Sequence, residues 1–209
     1  ETGYNELFYV NNVGGTFGIP QMFADGWYDS GSGNYYHHPA IKVTPAGGYI
    51  AYIQQNWGGQ ESWSSEGITT ITTVAGRTTP LEHFVGEVFN TVWFGKNSMA
   101  VDSNGDVHLV YKIDNSHYYA KVTATAFTPS PLSAVSQPSV SVKSADEIMI
   151  AYVHGEGGIS YIVGDGAFWE EPVILNSITS GRNPSVSAGS VTFFAYEASD
   201  GDYDCLLYT

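Results

Sequence analysis

The sequence predicts an all-β fold, and three observations carry that expectation. Tyrosine (15) and glycine (24) are both abundant among the 209 residues, a balance that favours short strands joined by tight turns. Hydrophobic residues make up 43% of the chain and charged residues 13%, enough to bury a core rather than form a disordered acidic tail. Most telling, four segments repeat one pattern: "HPAIKVTPAGGYIAYI" (38–53), "KNSMAVDSNGDVHLVYKI" (96–113), "QPSVSVKSADEIMIAYV" (137–153) and "NPSVSAGSVTFFAYE" (183–197). Each carries a dipeptide ending in Pro or its equivalent, an alternating strand, a turn and an aliphatic-small-Tyr triplet.

The triplets are Ile50-Ala51-Tyr52, Leu109-Val110-Tyr111, Ile150-Ala151-Tyr152 and Phe194-Ala195-Tyr196. Unit starts lie 58, 41 and 46 residues apart. A period near 40–50 filled with short alternating strands is what a four-stranded propeller blade produces. The expected architecture is therefore a β-propeller-like array of four to five four-stranded antiparallel blades. It forms one domain over 1–209, with units near 38–95, 96–136, 137–182 and 183–209.

The remaining elements follow in order. First and second strands are joined by "PAGG" (45–48), "DSNGD" (102–106) and "KSAD" (143–146), all turn-forming compositions. Third strands come next: "GITTITTV" (67–74), "HYYAKVT" (117–123), "GISYIVG" (158–164) and "DCLLYT" (204–209). A less regular fourth strand follows, as in "FWEEPVIL" (168–175). The nearest approach to an amphipathic helix, "PLEHFVGEVF" (80–89), reads equally well as a fourth strand.

The repeat units resemble the sialidase-like and BNR-like β-propeller repeats common in secreted microbial proteins. Asp165-Gly166-Ala167-Phe168-Trp169 looks like a degenerate Asp-box, without the Ser and Thr of the full motif. The resemblance spans nearly the whole chain and specifies fold far better than activity. It implies an extracellular or surface-displayed protein. Family sialidases clamp the substrate carboxylate with three arginines, because each guanidinium offers a rigid two-pronged donor. This chain has two, Arg77 and Arg182, so sialidase activity is not expected.

The N-terminal segment 4–26 supplies extra third and fourth strands. "ELFYVNN" (6–12) aligns with "GISYIVG", and "FGIPQMF" (17–23) with "FWEEPVI", which makes five third strands against four first strands. Three arrangements are open. The N-terminal pair closes the last blade as a clasp, the chain is a piece of a longer propeller, or the surplus strand, Leu7, Phe8, Tyr9 and Val10, pairs with a neighbouring molecule as unpaired edges invite.

A formal charge of −14, from 7 Lys+Arg against 21 Asp+Glu, argues against nucleic acid as a partner. No apolar run reaches the ~18 residues of a membrane span, so membrane insertion is not expected. The single Cys205 allows no intrachain disulfide and reads as a small core residue. The six histidines are scattered, with no zinc-ligand spacing. Glu61, Glu66, Glu170 and Glu171 are candidates for a hydrolytic carboxylate pair by abundance only, and solvated surface acids are the better reading.

Calcium is the one cofactor the turns suggest. Asp200, Asp202 and Asp204 alternate in "SDGDYDC", as do Asp102, Asn104 and Asp106 in "DSNGD", and oxygen ligands at alternate positions begin calcium loops. A plain hairpin turn demands the same residues and is preferred, because neither stretch has the downstream glutamate of an EF-hand.

Aromatic residues in presumed loops are the remaining hint. The first unit is 12 to 17 residues longer than the others, and its excess holds "QQNWGGQESWSSEG" (54–67) with Trp57, Gln60 and Trp63. "DGWYDSGSGNYYHH" (25–38) adds Trp27, Tyr28, Tyr35 and Tyr36. Flat indoles beside amides suit the alternating apolar and hydroxyl faces of a sugar, although packing between blades would explain them as well. The expected function is non-enzymatic recognition, with a glycan or cell-surface ligand. The alternatives are a structural subunit forming an oligomer or filament through its N-terminal strand, and a glycoside hydrolase.

Overall fold

Alternating apolar residues, punctuated by Gly, Asn and Asp, fold into a run of antiparallel meanders. A computed structural model describes residues 3–10, 12–13, 16–17, 20–28, 32–44, 47–58, 63–71, 81–84, 92–155, 157–175, 181–199 and 203–208. Its first strands are β1 (Gly3–Tyr9), the short paired β2 (Asn12–Val13) and β3 (Thr16–Phe17), and β4 (Gln21–Tyr28). β5 (Ser32–Thr44), β6 (Gly47–Gly58), β7 (Trp63–Ile71) and β8 (Leu81–Phe84) follow, and with β1 and β4 they form a six-stranded first sheet in the order β1-β4-β5-β6-β7-β8.

The second sheet comprises β9 (Val92–Val101), β10 (Val107–Ile113), β11 (Ser116–Val122) and β12 (Phe127–Leu132). The third comprises β13 (Ser136–Ser144), β14 (Glu147–His154), β15 (Gly158–Gly164) and β16 (Val173–Ile174). The fourth has three strands, β17 (Gly181–Ser187), β18 (Phe193–Ser199) and β19 (Tyr203–Tyr208). There is no helix among the described residues.

Turn chemistry sets the register. In the second sheet, Asp102 Oδ1 accepts from the backbone N–H of Asn104 (2.8 Å) and Asp106 (2.9 Å), and Gly105 takes φ +85° at the apex. "DSNGD" is thus a hairpin turn whose first carboxylate is spent on its own backbone. In the third sheet, Ser144 pairs with Glu147 across a two-residue turn, and Lys143 Nζ donates to Glu147 Oε1 at 2.8 Å.

The sheets pack face on face, chiefly through their first strands: β5 lies against β9, β9 against β13, and β13 against β17. Period-two alternation gives each strand one face per neighbour. Met99, Val107 and Leu109 face Tyr49, Ala51 and Ile53 of the first sheet. Ala100, Val110 and Tyr119 face Val140, Ile148 and Ile150 of the third. Met149 and Ala151 face Val186 and Phe194 of the fourth. Both faces of the middle sheets are therefore apolar, as the aliphatic-small-Tyr triplets require.

Several expectations are corrected. The N-terminal strands do not clasp the last sheet: β1 pairs with β4, Leu7 opposite Ala24, and β4 joins β5 at Tyr28↔Gly33, so both extend the first sheet. Only three residues, 29–31, separate β4 from β5 in sequence, too few to reach the far end of the array. Uniform four-stranded blades hold only for the second and third sheets. One expectation holds: the stretch at 80–89 contributes a strand over Leu81–Phe84, as its fourth-strand reading has it. The expected fourth strand at 168–175 shrinks to Val173–Ile174, because Asp165–Phe168 is a turn.

Candidate functional site

Each first strand breaks its ladder at the repeated dipeptide. Register shifts fall between His37 and Ala40, opposite Leu109–Tyr111 in β9, between Ser136 and Ser139, and between Arg182 and Ser185. Asn97, Gln137 and Asn183 sit in these bulges at φ +53°, +50° and +50°. Asn enters this left-handed region more readily than other side chains; Gln does so less easily. Bulges re-aim side chains and end pairing, which frees polar groups at one end of a sheet.

These residues make two sets of polar contacts that span three sheets. Asn97 Nδ2 of β9 donates to Ser185 Oγ of β17 at 2.8 Å. Gln137 Oε1 accepts from the Asn183 backbone N–H at 2.6 Å, and Asn183 Nδ2 donates to Glu197 Oε1 at 2.9 Å. Arg182 Nε donates to Glu197 Oε2 at 2.9 Å. All of these groups are solvent-accessible, so together they are a rim of exchangeable amides and one compensated ion pair.

Two clefts open beside the rim. One of ≈ 450 Å³ lies between β5 and β9, lined by Pro39, Ile41, Lys42, Phe94, Asn97 and Met99. The other, ≈ 220 Å³, lies between the second and third sheets, with Trp93, Tyr111, Lys112, His117, Gln137 and Pro138 in its walls. Trp93, Lys112 and His117 are direct cross-strand partners on β9, β10 and β11, so they form one row on one face. The Trp93 ring is half exposed. Burial and the neighbouring Lys112 charge hold the His117 pKa below its ordinary value, which favours a neutral imidazole that can both donate and accept.

A second polar constellation lies on the face of the second sheet toward the third, with Asp102, His108 and Tyr119 buried and Lys121 and Asp106 partly exposed at its edge. His108 Nδ1 lies 2.7 Å from Tyr119 Oη, and its Nε2 lies 3.3 Å from Asp102 Oδ2. Lys121 Nζ reaches Asp106 Oδ2 at 3.1 Å and Asp102 Oδ2 at 3.8 Å. Burial lowers the His108 pKa and outweighs the Asp102 contact that would raise it. Burial would raise the Asp102 pKa, but bonds from Asp106, His108 and Asn104 outweigh it and hold the carboxyl below its usual range. One arrangement satisfies every group: neutral His108 donates from Nε2 to Asp102 and accepts at Nδ1 from the Tyr119 hydroxyl.

The constellation has the order of a catalytic relay, but burial pushes the Tyr119 phenol well up, and Tyr119 and His108 are 1% and 0% exposed. It acts as a structural lock. The turn at Asp165–Trp169 closes over it. Asp165 Oδ1 accepts from the N–H of Ala167 (2.8 Å) and Phe168 (2.7 Å), Trp169 meets Tyr119 edge-on at 5.2 Å, and Gly166 takes φ +93° with its Cβ position against the Tyr119 ring.

The aromatic residues singled out by sequence lie on strands rather than loops. Trp27 and Tyr28 end β4, Tyr35 and Tyr36 lie in β5, Trp57 in β6, and Trp63 begins β7. The register places Trp57 opposite Gly33 and Ser64, Tyr35 opposite Gln55, and Gly58 opposite Trp63. With no proline between Ile50 and Gly58, nothing stops the ladder, and the insertion lengthens three strands. Gln60, Glu61, Arg77, Asp200 and Asp202 lie outside the described residues; Asp204 is in β19, opposite Ala198. Among the described residues no cluster of three His, Cys, Asp or Glu is placed to hold a metal. Leu7, Phe8 and Tyr9 pair with β4 within the chain, and Val10 follows, with Phe8 and Val10 exposed.

Sequence reasoning missed Trp93, Gln137 and the His108 lock. The available signal was the Asn or Gln that precedes the Pro-like position in three of the four units, His38 standing there in the first; the cleft itself depends on how sheets pack.

No family model and no curated protein matches the chain. A solved structure, Hadza microbial sialidase Hz136, is similar in fold, with a TM-score of 0.58 and 13% identity. The similarity covers 83% of this chain and 42% of the sialidase chain, so this chain spans less than half of its length.

Proposed function

We propose that the chain is a non-enzymatic, extracellular recognition module of propeller-like build that binds glycans at the bulge end of its first strands. The carrying observation is the row Trp93–Lys112–His117 facing Gln137 across the cleft between the second and third sheets. An accessible indole offers the flat apolar surface on which a sugar ring stacks, and the amide, ammonium and imidazole offer donors to its hydroxyls. At ≈ 220 Å³ the cleft is smaller than enclosed small-molecule pockets, which suits a shallow contact with one sugar of a larger chain. The propeller-like reading is supported by the serial packing of the four first strands and by the sialidase fold similarity.

A binding role, rather than sialidase chemistry, is supported by the arginine count of two and by the engagement of Arg182 with Glu197. The aromatics of the lengthened β5–β6–β7 ribbon are candidate secondary contacts. The test is a glycan array followed by titration of each hit against the wild type, Trp93→Ala and Gln137→Ala. Loss of at least tenfold in affinity in Trp93→Ala with an unchanged melt is expected. A blank array, or hits indifferent to both substitutions, would sink the assignment.

A further inference from the structure

Among the described residues, the repeat register exposes on the first and fourth sheets two half-interfaces that the chain buries between its other sheets. The partner of each triplet's first residue is Ile41 (to Ile50), Met99 (to Leu109), Val140 (to Ile150) and Val186 (to Phe194). In the second, third and fourth sheets this residue turns onto the preceding sheet and is 6%, 3% and 6% exposed. Ile41 is 62% exposed, and Val43, two residues on, is 72% exposed. The positions equivalent to Val43, namely Val101, Val142 and Ala188, all pack against the preceding sheet.

The opposite face tells the same story from the other end. The residue before each triplet is Tyr49, His108, Met149 and Phe193. The first three are buried on the side of the following sheet, whereas Phe193 is 38% exposed. Ser141 Oγ accepts from the Ala188 N–H across the third-to-fourth interface at 2.9 Å. Its equivalent on β17, Ser187, pairs with Phe193 and is exposed. Val43 holds the place of Ala188. The opening on the first sheet runs along β5, since Ile50 and Tyr52 on that face are covered, and first strands are where successive sheets chiefly meet.

We propose that a second copy of this chain fills these openings head to tail, the fourth sheet of each copy seated on the first sheet of the other. The interface is continuous in kind with one built three times inside the chain: Phe193 and Ser187 offer what Met149 and Ser141 offer, and Ile41 and Val43 receive it as Val186 and Ala188 do. Such a contact is heterologous, and two copies that each use both halves close on themselves. With a formal charge of −14 per copy, added salt screens the repulsion and strengthens association.

Light scattering during size exclusion at tens of micromolar tests this. The expected mass is twice the 22.6 kDa of one chain. Ile41→Asp and Phe193→Asp should each weaken association at least tenfold without altering the melt, because both side chains are accessible within one copy. Mixing the two variants should restore a dimer, since one retains an intact first sheet and the other an intact fourth. A monomeric wild type would overturn the proposal, whether the openings are closed by the same chain or await another partner. So would a dimer that survives both substitutions, or a mixture that stays monomeric.

Discussion

Two polar networks differ in burial: one lies within the second sheet on its face toward the third, and the other bridges sheets at the bulges of the first strands. At the hairpin end, Asp102, His108 and Tyr119 are sealed between the second and third sheets, with each hydrogen bond matched to one tautomer. At the bulge end, Asn97, Gln137, Asn183 and Glu197 make bonds of similar length in contact with solvent. A buried polar group has no substitute partner, so losing one bond costs its full desolvation. An exposed amide trades its partner for water or a ligand at little cost. The contrast separates a sealed network from an exchangeable one by burial alone, although the residue types overlap.

The comparison is broken most severely by Asp102→Ala, which strands His108 Nε2–H and the N–H groups of Asn104 and Asp106. A loss of about 3 kcal/mol in unfolding free energy is expected from removing one partner of a buried charged network, read by urea denaturation. Gly166→Ala should cost about 2 kcal/mol by the same measurement, because φ +93° is strained for alanine and its Cβ meets the Tyr119 ring. Tyr119→Phe keeps the packing and orphans His108 Nδ1, for a loss of about 1–2 kcal/mol.

Acid sharpens the same contrast. The folded-state pKa of His108 is lowered, so below its unfolded value of about 6.5 the unfolded chain binds the extra proton. Stability should therefore be full above that pH and fall as pH drops through it, by at most about 1.4 kcal/mol per pH unit. The lowered Asp102 pKa adds loss of the same sign below about pH 4. His108→Gln, which can donate to Asp102 and accept from Tyr119, should flatten the upper part of the curve. An unaltered slope would mean that the imidazole is not the titrating lock.

The smallest effect should come from the rim. Asn97→Ala is expected to move unfolding free energy by less than about 0.5 kcal/mol while weakening any glycan that Trp93 binds, a split visible by comparing melts with titrations. A large stability loss there would show that the rim is a second lock rather than a site.

Much of the architecture was legible in the residues. The third strands at 117–123 and 158–164 are observed as Ser116–Val122 and Gly158–Gly164, because alternation there is uninterrupted and both ends carry turn residues. The hairpin at Asp102–Asp106 was legible for the same reason. The 54–58 stretch misled, because Gln and Asn resemble loop composition, yet register inherited from β5 and β7 carries it on as strand. Trp93 was invisible as a site residue, since an indole on a strand gives no sign of whether a neighbouring sheet will cover it.

What the sequence by itself determined is the local period: which residues alternate, where turns fall and which positions repeat. Those depend on backbone sterics and on side chains a few residues apart. Only the tertiary structure decided which faces close and which stay open. Met99, Val140 and Val186 are buried while Ile41 is not, although all four occupy one register position, because burial depends on whether another sheet is present to exclude water.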